Sequence, residues 1–164
     1  MKSFLPEGIH EAGRRPGTEA VPLALAFAHA VLIAEKIKTK ENARVLKLRN
    51  MLKEKILEKI PNVTFNGNTE SALPNMLSVT ISGVESEALV IYLDAAGIAV
   101  AGRSACTTSL DNVSHVILAI GKAETTPSGT IRFSLGRGTK REDISYVVKE
   151  LSRIVPLLRK AVSK

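Results

Sequence analysis

The sequence predicts an α+β fold in which helices cover a small sheet, and three observations predict it. Leucines and isoleucines recur at helical spacing through residues 36–60 and again from Arg141 towards the C-terminus. Between these regions, short alternations of apolar and polar residues such as "NMLSVTIS" and "TIRFSL" read as strands. The chain, with 164 residues of which 45% are hydrophobic, has the size of one well-packed domain.

Each element has its own signal. Residues 1–19, "MKSFLPEGIHEAGRRPGTE", are polar and rich in glycine and proline, and they predict an arm or loop. The apolar stretch "AVPLALAFAHAVLIA" at 20–34 predicts a buried helix running to about residue 37. It is too short to span a bilayer, carries Pro22 and His29, and lies too far from a clean basic start to be a signal peptide. Thr39 offers a hydroxyl to cap a second helix, which continues to Ile60 and stops at Pro61. "VTFNG" and "NMLSVTIS" predict strands, the first closed by a turn at "NGN". "SEALVIYLDAAG" predicts an amphipathic helix with Gly97 as its left-handed cap, followed by a short buried strand, "IAVA". A loop around Cys106 precedes a helix over "NVSHVILAIG", the loop "KAETTPSG" and the strand "TIRFSL". The final helix, "REDISYVVKELSRIVPLLRKAV", contains Pro156, which is expected to kink it or to end its first section.

Composition narrows the function. The net charge of +7 is concentrated in residues 36–59 and at the C-terminus, where lysines and arginines interleave with leucines as on the solvated faces of helices. With four Phe and two Tyr, the chain lacks the aromatics on which stacking modules rely, which argues against nucleic acid as a partner. A single cysteine excludes an internal disulfide and a multi-cysteine metal site, and His10, His29 and His115 lack ligand spacing; no metal is expected. A reducing, cytoplasmic setting without a membrane span fits this usage.

Three places offer chemistry. In "GRSACTTSLD", Cys106 lies three residues after Arg103 and about five before a helix start, both of which lower a thiol's pKa; a buried, inert cysteine fits the same composition. In "GTIRFSLGRGT", Arg132 alternates with Ile131 and Phe133 and so points away from their shared face, where a guanidinium can hold a carboxylate through two parallel hydrogen bonds. Periodicity separates it neither from a surface arginine paired with an acid nor from Arg137. The turn "GRRPGTE" offers amides and the Thr18 hydroxyl to a phosphate, although such turns are also ordinary loops.

Together, "HEAGRRPGTEAVP", "LPNMLSVTISGVESEALVIYLDAAGIAVAGRSACTTS", "VILAIG" and "TIRFSLGRGTKREDISYVVKEL" resemble the C-terminal part of NifS/IscS-type cysteine desulfurases, pyridoxal-phosphate enzymes of the class V aminotransferase family. The resemblance covers nearly the whole chain. It implies the C-terminal small domain of a fold-type I enzyme over residues 20–164, with residues 1–19 as the arm of the cofactor-phosphate loop. It also implies a catalytic role for Cys106, which takes sulfur from L-cysteine as a persulfide. By the same resemblance Arg132, rather than Arg137, holds the substrate carboxylate, Thr18 reaches the cofactor phosphate of the other subunit of a homodimer, and Asn75, in "LPN", lies on the substrate side. A sulfur acceptor or iron–sulfur scaffold is the implied protein partner.

The same comparison exposes departures. Ala12 stands where the family commonly has arginine, Arg103 where it has glycine and Pro16 where it has serine. No His-Lys pair of the family's cofactor-lysine loop occurs in the chain, so the lysine-bearing large domain is expected to be missing and the chain inactive alone. The alternative expectation is a non-catalytic sulfur-relay or interaction module that uses Cys106, and a weaker one is an RNA-binding domain driven by charge.

Overall fold

A computed structural model describes residues 10–68, 71–102, 117, 119–120 and 128–162. The chain forms two compact units, Met1–Lys40 and Glu41–Lys164. The described part of the first unit begins with a single turn, α1 (His10–Gly13), whose Glu11 and Ala12 adopt left-handed backbone angles, with φ of 50° and 57°. An exposed segment with Gly17 at φ 92° then leads into α2 (Val21–Lys59).

One continuous helix thus replaces the two expected, and Thr39 lies within it as an exposed interior residue. Between Leu23 and Lys59 the chain has no glycine or proline, so nothing interrupts the hydrogen-bond ladder. The cap that Thr39 could form is worth about 1 kcal/mol, less than breaking a helix and satisfying two new ends would require.

The second unit is built on an antiparallel sheet of β1 (Val63–Phe65), β2 (Met76–Ser82) and β3 (Ser128–Ser134), in that spatial order. Register places Thr64 opposite Thr80 and Val79 opposite Ile131. Alternation does the sorting: Leu77, Val79 and Ile81 of β2, with Ile131 and Phe133 of β3, are buried, while the residues between them are not. Helices cover this apolar face, as expected. They contribute Leu52 and Ile56 from α2, Leu89 and Leu93 from α3 (Ser86–Ala95), and Leu151 and Ile154 from α4 (Arg141–Val162) to one core.

Local chemistry fixes the element ends. Gly97, at φ 74°, closes α3 through bonds from its own amide to Asp94 O and from the Ile98 amide to Leu93 O, the pattern expected of a left-handed cap. The next segment is not the strand expected over "IAVA": Ile98 is buried, but only Ala101 pairs, as an isolated bridge to Arg132. At the start of α4 the Lys140 amide donates to the Asp143 carboxylate at 2.8 Å, and the helix runs on past Pro156 to Val162. The Cys106 loop and the body of the helix expected at 112–121 lie outside the described residues.

Two arginines join distant segments of this unit. Arg44 donates to the carbonyls of Gly136, Arg137 and Thr139, at 3.2, 3.1 and 2.8 Å, while Glu41 holds the same guanidinium from the side. Arg159 donates to Ser82 O and Pro61 O at 3.0 and 2.7 Å, which ties α4 to the ends of the β1–β2 pair.

Candidate active-site strand and the cysteine segment

The candidate site begins with the side of the sheet opposite the core, where Met76 is the one apolar residue of β2 among Ser78, Thr80 and Ser82. Arg132 is exposed between the buried Ile131 and Phe133, so the alternation read from the sequence holds. Its amide donates to Ala101 O at 2.7 Å, and its carbonyl accepts from the Ala101 amide at 3.2 Å. Both main-chain groups of Arg132 therefore face Ala101. On the other side, Arg132 and its register partner Ser78 form a non-hydrogen-bonded pair, the closer of the two antiparallel arrangements, with both side chains on one face.

Around Ser78 the face is polar and connected. The Asn66 side-chain amide donates to Ser78 Oγ at 3.1 Å and to Thr80 Oγ1 at 2.9 Å, and Thr80 and Thr130 hydroxyls meet at 2.8 Å. Asn66 thereby joins β2 and β3 in one hydrogen-bonded side-chain ladder beside the arginine. No described residue makes a hydrogen bond or ion pair with the Arg132 guanidinium. Sequence reasoning passed over Ser78, Thr80 and Thr130, although their alternation in "MLSVTIS" and "GTIRFS" was the available signal. Asn66 had none, because it lies just beyond β1.

The remaining candidates are distributed unequally. Asn75 is half-buried in the turn before β2, and its carbonyl accepts the Leu135 amide at 2.8 Å, so it sits at the sheet end where β3 departs. Arg137 lies beyond β3 in the turn that Arg44 holds. Cys106 is outside the described residues, but the segment leading to it starts at Ala101, the residue bonded to Arg132. The following Gly102 packs closely: a Cβ there would lie 3.2 Å from Val90 Cγ2 and 3.3 Å from Ser86 Oγ. Thr18 belongs to the first unit. There it is exposed beside Gly17, and neither residue's amide bonds to a described backbone carbonyl. Among the described residues no cluster of His, Cys, Asp or Glu could hold a metal ion.

A family model described as aminotransferase class-V matches residues 9–147. Cysteine desulfurase from Gluconacetobacter diazotrophicus is 36% identical over 159 residues, and cysteine desulfurase NifS from Azotobacter vinelandii 35% over 159 residues. Each comparison takes in 97% of this chain and 40% of the relative, so the chain spans about 40% of the length of these curated relatives. Among solved structures, a NifS-like protein superposes with a TM-score of 0.80 at 26% identity, over 96% of this chain and 40% of that one. A NifS-like protein from Rickettsia africae gives 0.77, also at 26% identity, over 94% of this chain and 40% of its own. With its sheet, covering helices and most of its length accounted for in this way, the chain belongs to the class-V aminotransferase family.

Proposed function

We propose that the chain is the C-terminal portion of a cysteine desulfurase, with residues 1–19 as a phosphate-binding arm and residues 20–164 as the small domain. The observation that carries this reading is Arg132: an exposed guanidinium without a described partner, on a strand bonded through Ala101 to the segment that holds Cys106. Arg132 binds the carboxylate of L-cysteine, and the open face beside Ser78 gives it room to do so in bidentate fashion. Asn75 flanks the substrate at the same sheet end.

Pyridoxal phosphate fits what the first unit offers, since the exposed Gly17 and Thr18 amides and the Thr18 hydroxyl are donors suited to a phosphate. When bound, it supplies the electron sink that lets the carbon–sulfur bond of the substrate break. The residues of this chain do the rest. Cys106, as thiolate, forms a sulfur–sulfur bond to the substrate's sulfur while the substrate's carbon–sulfur bond breaks. The bonding pair stays with carbon, which is protonated and leaves as alanine, and Cys106 keeps the persulfide for a sulfur acceptor or iron–sulfur scaffold.

In this reading the lysine that anchors the cofactor belongs to the part of the fold that the chain does not span, and the chain by itself is inactive. The active form is a homodimer in the cytoplasm. No helix among the described residues is long and apolar enough to cross a membrane.

Alanine formation tests this, with the chain co-expressed with the remaining 60% of Azotobacter vinelandii NifS. Cys106→Ser should lower sulfide and alanine release by about a hundredfold or more, and Arg132→Ala should raise KM for L-cysteine by about tenfold to a hundredfold. Unchanged rates in both variants would refute the assignment. The alternative reading is a sulfur-relay module. It requires Cys106 to accept persulfide in trans with no pyridoxal absorbance.

A further inference from the structure

We propose that Ser78 is a second carboxylate-binding residue, whose hydroxyl donates to the carboxylate that Arg132 holds. The proposal rests on the role given to Arg132 above and is independent of the chemistry assigned to Cys106.

The sheet register supplies the first observation. Arg132 is the one charged residue of β1–β3. An acid directly across the strand pair would stabilise it, yet the register puts Ser78 there. Because the two form a non-hydrogen-bonded pair, their Cβ atoms lie about 4.5–5.5 Å apart on one face. Ser78 is only half-buried, so a small anion can reach it.

The direction of the neighbouring hydrogen bonds supplies the second. Asn66 Nδ2 donates to Ser78 Oγ at 3.1 Å and to Thr80 Oγ1 at 2.9 Å, which uses both of its hydrogens. Ser78 Oγ is therefore an acceptor in the ladder, and no described residue accepts from its own O–H. Thr80 differs, because its hydroxyl meets Thr130 Oγ1 at 2.8 Å and Asn66 Oδ1 at 3.3 Å, so the ladder absorbs it. Asn66 thus leaves one hydroxyl proton uncommitted on this face, and it belongs to the residue opposite Arg132.

The two donors suit one ligand group. A carboxylate is acceptor-only, with two oxygens and about four lone-pair sites. A guanidinium fork fills two of them, and a hydroxyl beside it fills a third. An amide would turn hydrogens of its own towards the same donors, so the pair selects for the charged group.

The test uses the full chain in solution, with acetate as the probe at constant ionic strength, and follows the Val79 and Ala101 amide resonances by NMR. Acetate should shift them saturably, and acetamide should not. Ser78→Ala and Ser78→Val should raise the acetate dissociation constant about threefold to tenfold, whereas Ser78→Thr should bind as the wild type does. Valine and threonine have nearly the same shape and both suit a strand, so that pair decides the matter even if the alanine variant folds poorly. Arg132→Ala should abolish saturable binding. Wild-type affinity in the valine variant, or equal loss in the valine and threonine variants, would overturn the role of Ser78 while loss in Arg132→Ala upheld that of Arg132. No saturable shift in the wild type, acetamide binding as well as acetate, or unchanged binding in Arg132→Ala would overturn both assignments.

Discussion

Arg49 shows how far a single residue departs from its neighbours' logic. The buried side of α2 runs Val45, Arg49, Leu52, Ile56, so an arginine holds a place in an apolar stripe at 4% exposure. Its Nε and Nη2 share one acceptor, Asn50 Oδ1, and Nη1 is buried without a partner. A buried donor left unmade costs about 1–3 kcal/mol, and a methionine of similar length carries no such debt. Arg49→Met should therefore raise the urea midpoint by an amount equivalent to about 1 kcal/mol or more, and a lower midpoint would show that the guanidinium is needed where it is. Nothing in the sequence marks Arg49 apart from the basic residues around it, because helical spacing tells which side a residue takes only when its neighbours agree. Arg132 was legible for the opposite reason. Ile131 and Phe133 fix the strand's two faces, and the arginine between them has one place to go. Choosing it over Arg137 needed the family resemblance, as did any decision on Cys106, since a lone cysteine in a loop of small residues carries no pattern.

Elements with strong local punctuation could be read directly, and those set by partners could not. Gly97 ends α3 as expected because a left-handed residue there satisfies two carbonyls. The break expected at Thr39 failed because a cap residue alone does not stop a helix that lacks glycine or proline. Thr39→Ala discriminates these readings by sign: in an exposed helix interior it should stabilise by up to about 0.7 kcal/mol, whereas loss of a working cap would destabilise by about 1 kcal/mol. Helix content of the variant by circular dichroism and its denaturation midpoint give the answer. The sheet has a comparable test at Gly129, where a Cβ would lie 2.6 Å from Val84 Cγ2 and 3.5 Å from Val84 O. The Cγ2 contact is the clash, and it cannot withdraw easily because valine has one side-chain torsion, whereas the carbonyl lies at ordinary contact distance. Gly129→Ala should cost about 1–3 kcal/mol through displacement of β3. Equal stability would mean that the 83–85 turn moves freely. The absence of a ladder over "IAVA" belongs with these cases: its buried Ile98 and bridging Ala101 look like a strand in composition, while pairing depends on what β3 presents.

At the scale of the molecule, the two units differ in what could hold them folded. Glu41–Lys164 encloses a core that draws on the sheet and three helices, and Arg44 and Arg159 tie its turns to those helices. Met1–Lys40 has no buried side chain among its described residues, and most of its apolar surface lies on α2. Tertiary burial supplies most helical stability in proteins, and this part of α2 has none among the described residues. The stability of the chain on its own should therefore reside in the second unit. Removing residues 1–40 should shift its midpoint by less than about 0.5 kcal/mol, and in the intact chain the amides of residues 21–37 should exchange far faster than those of residues 45–59 in the same helix. A large loss on truncation would mean that the first unit contributes to the core.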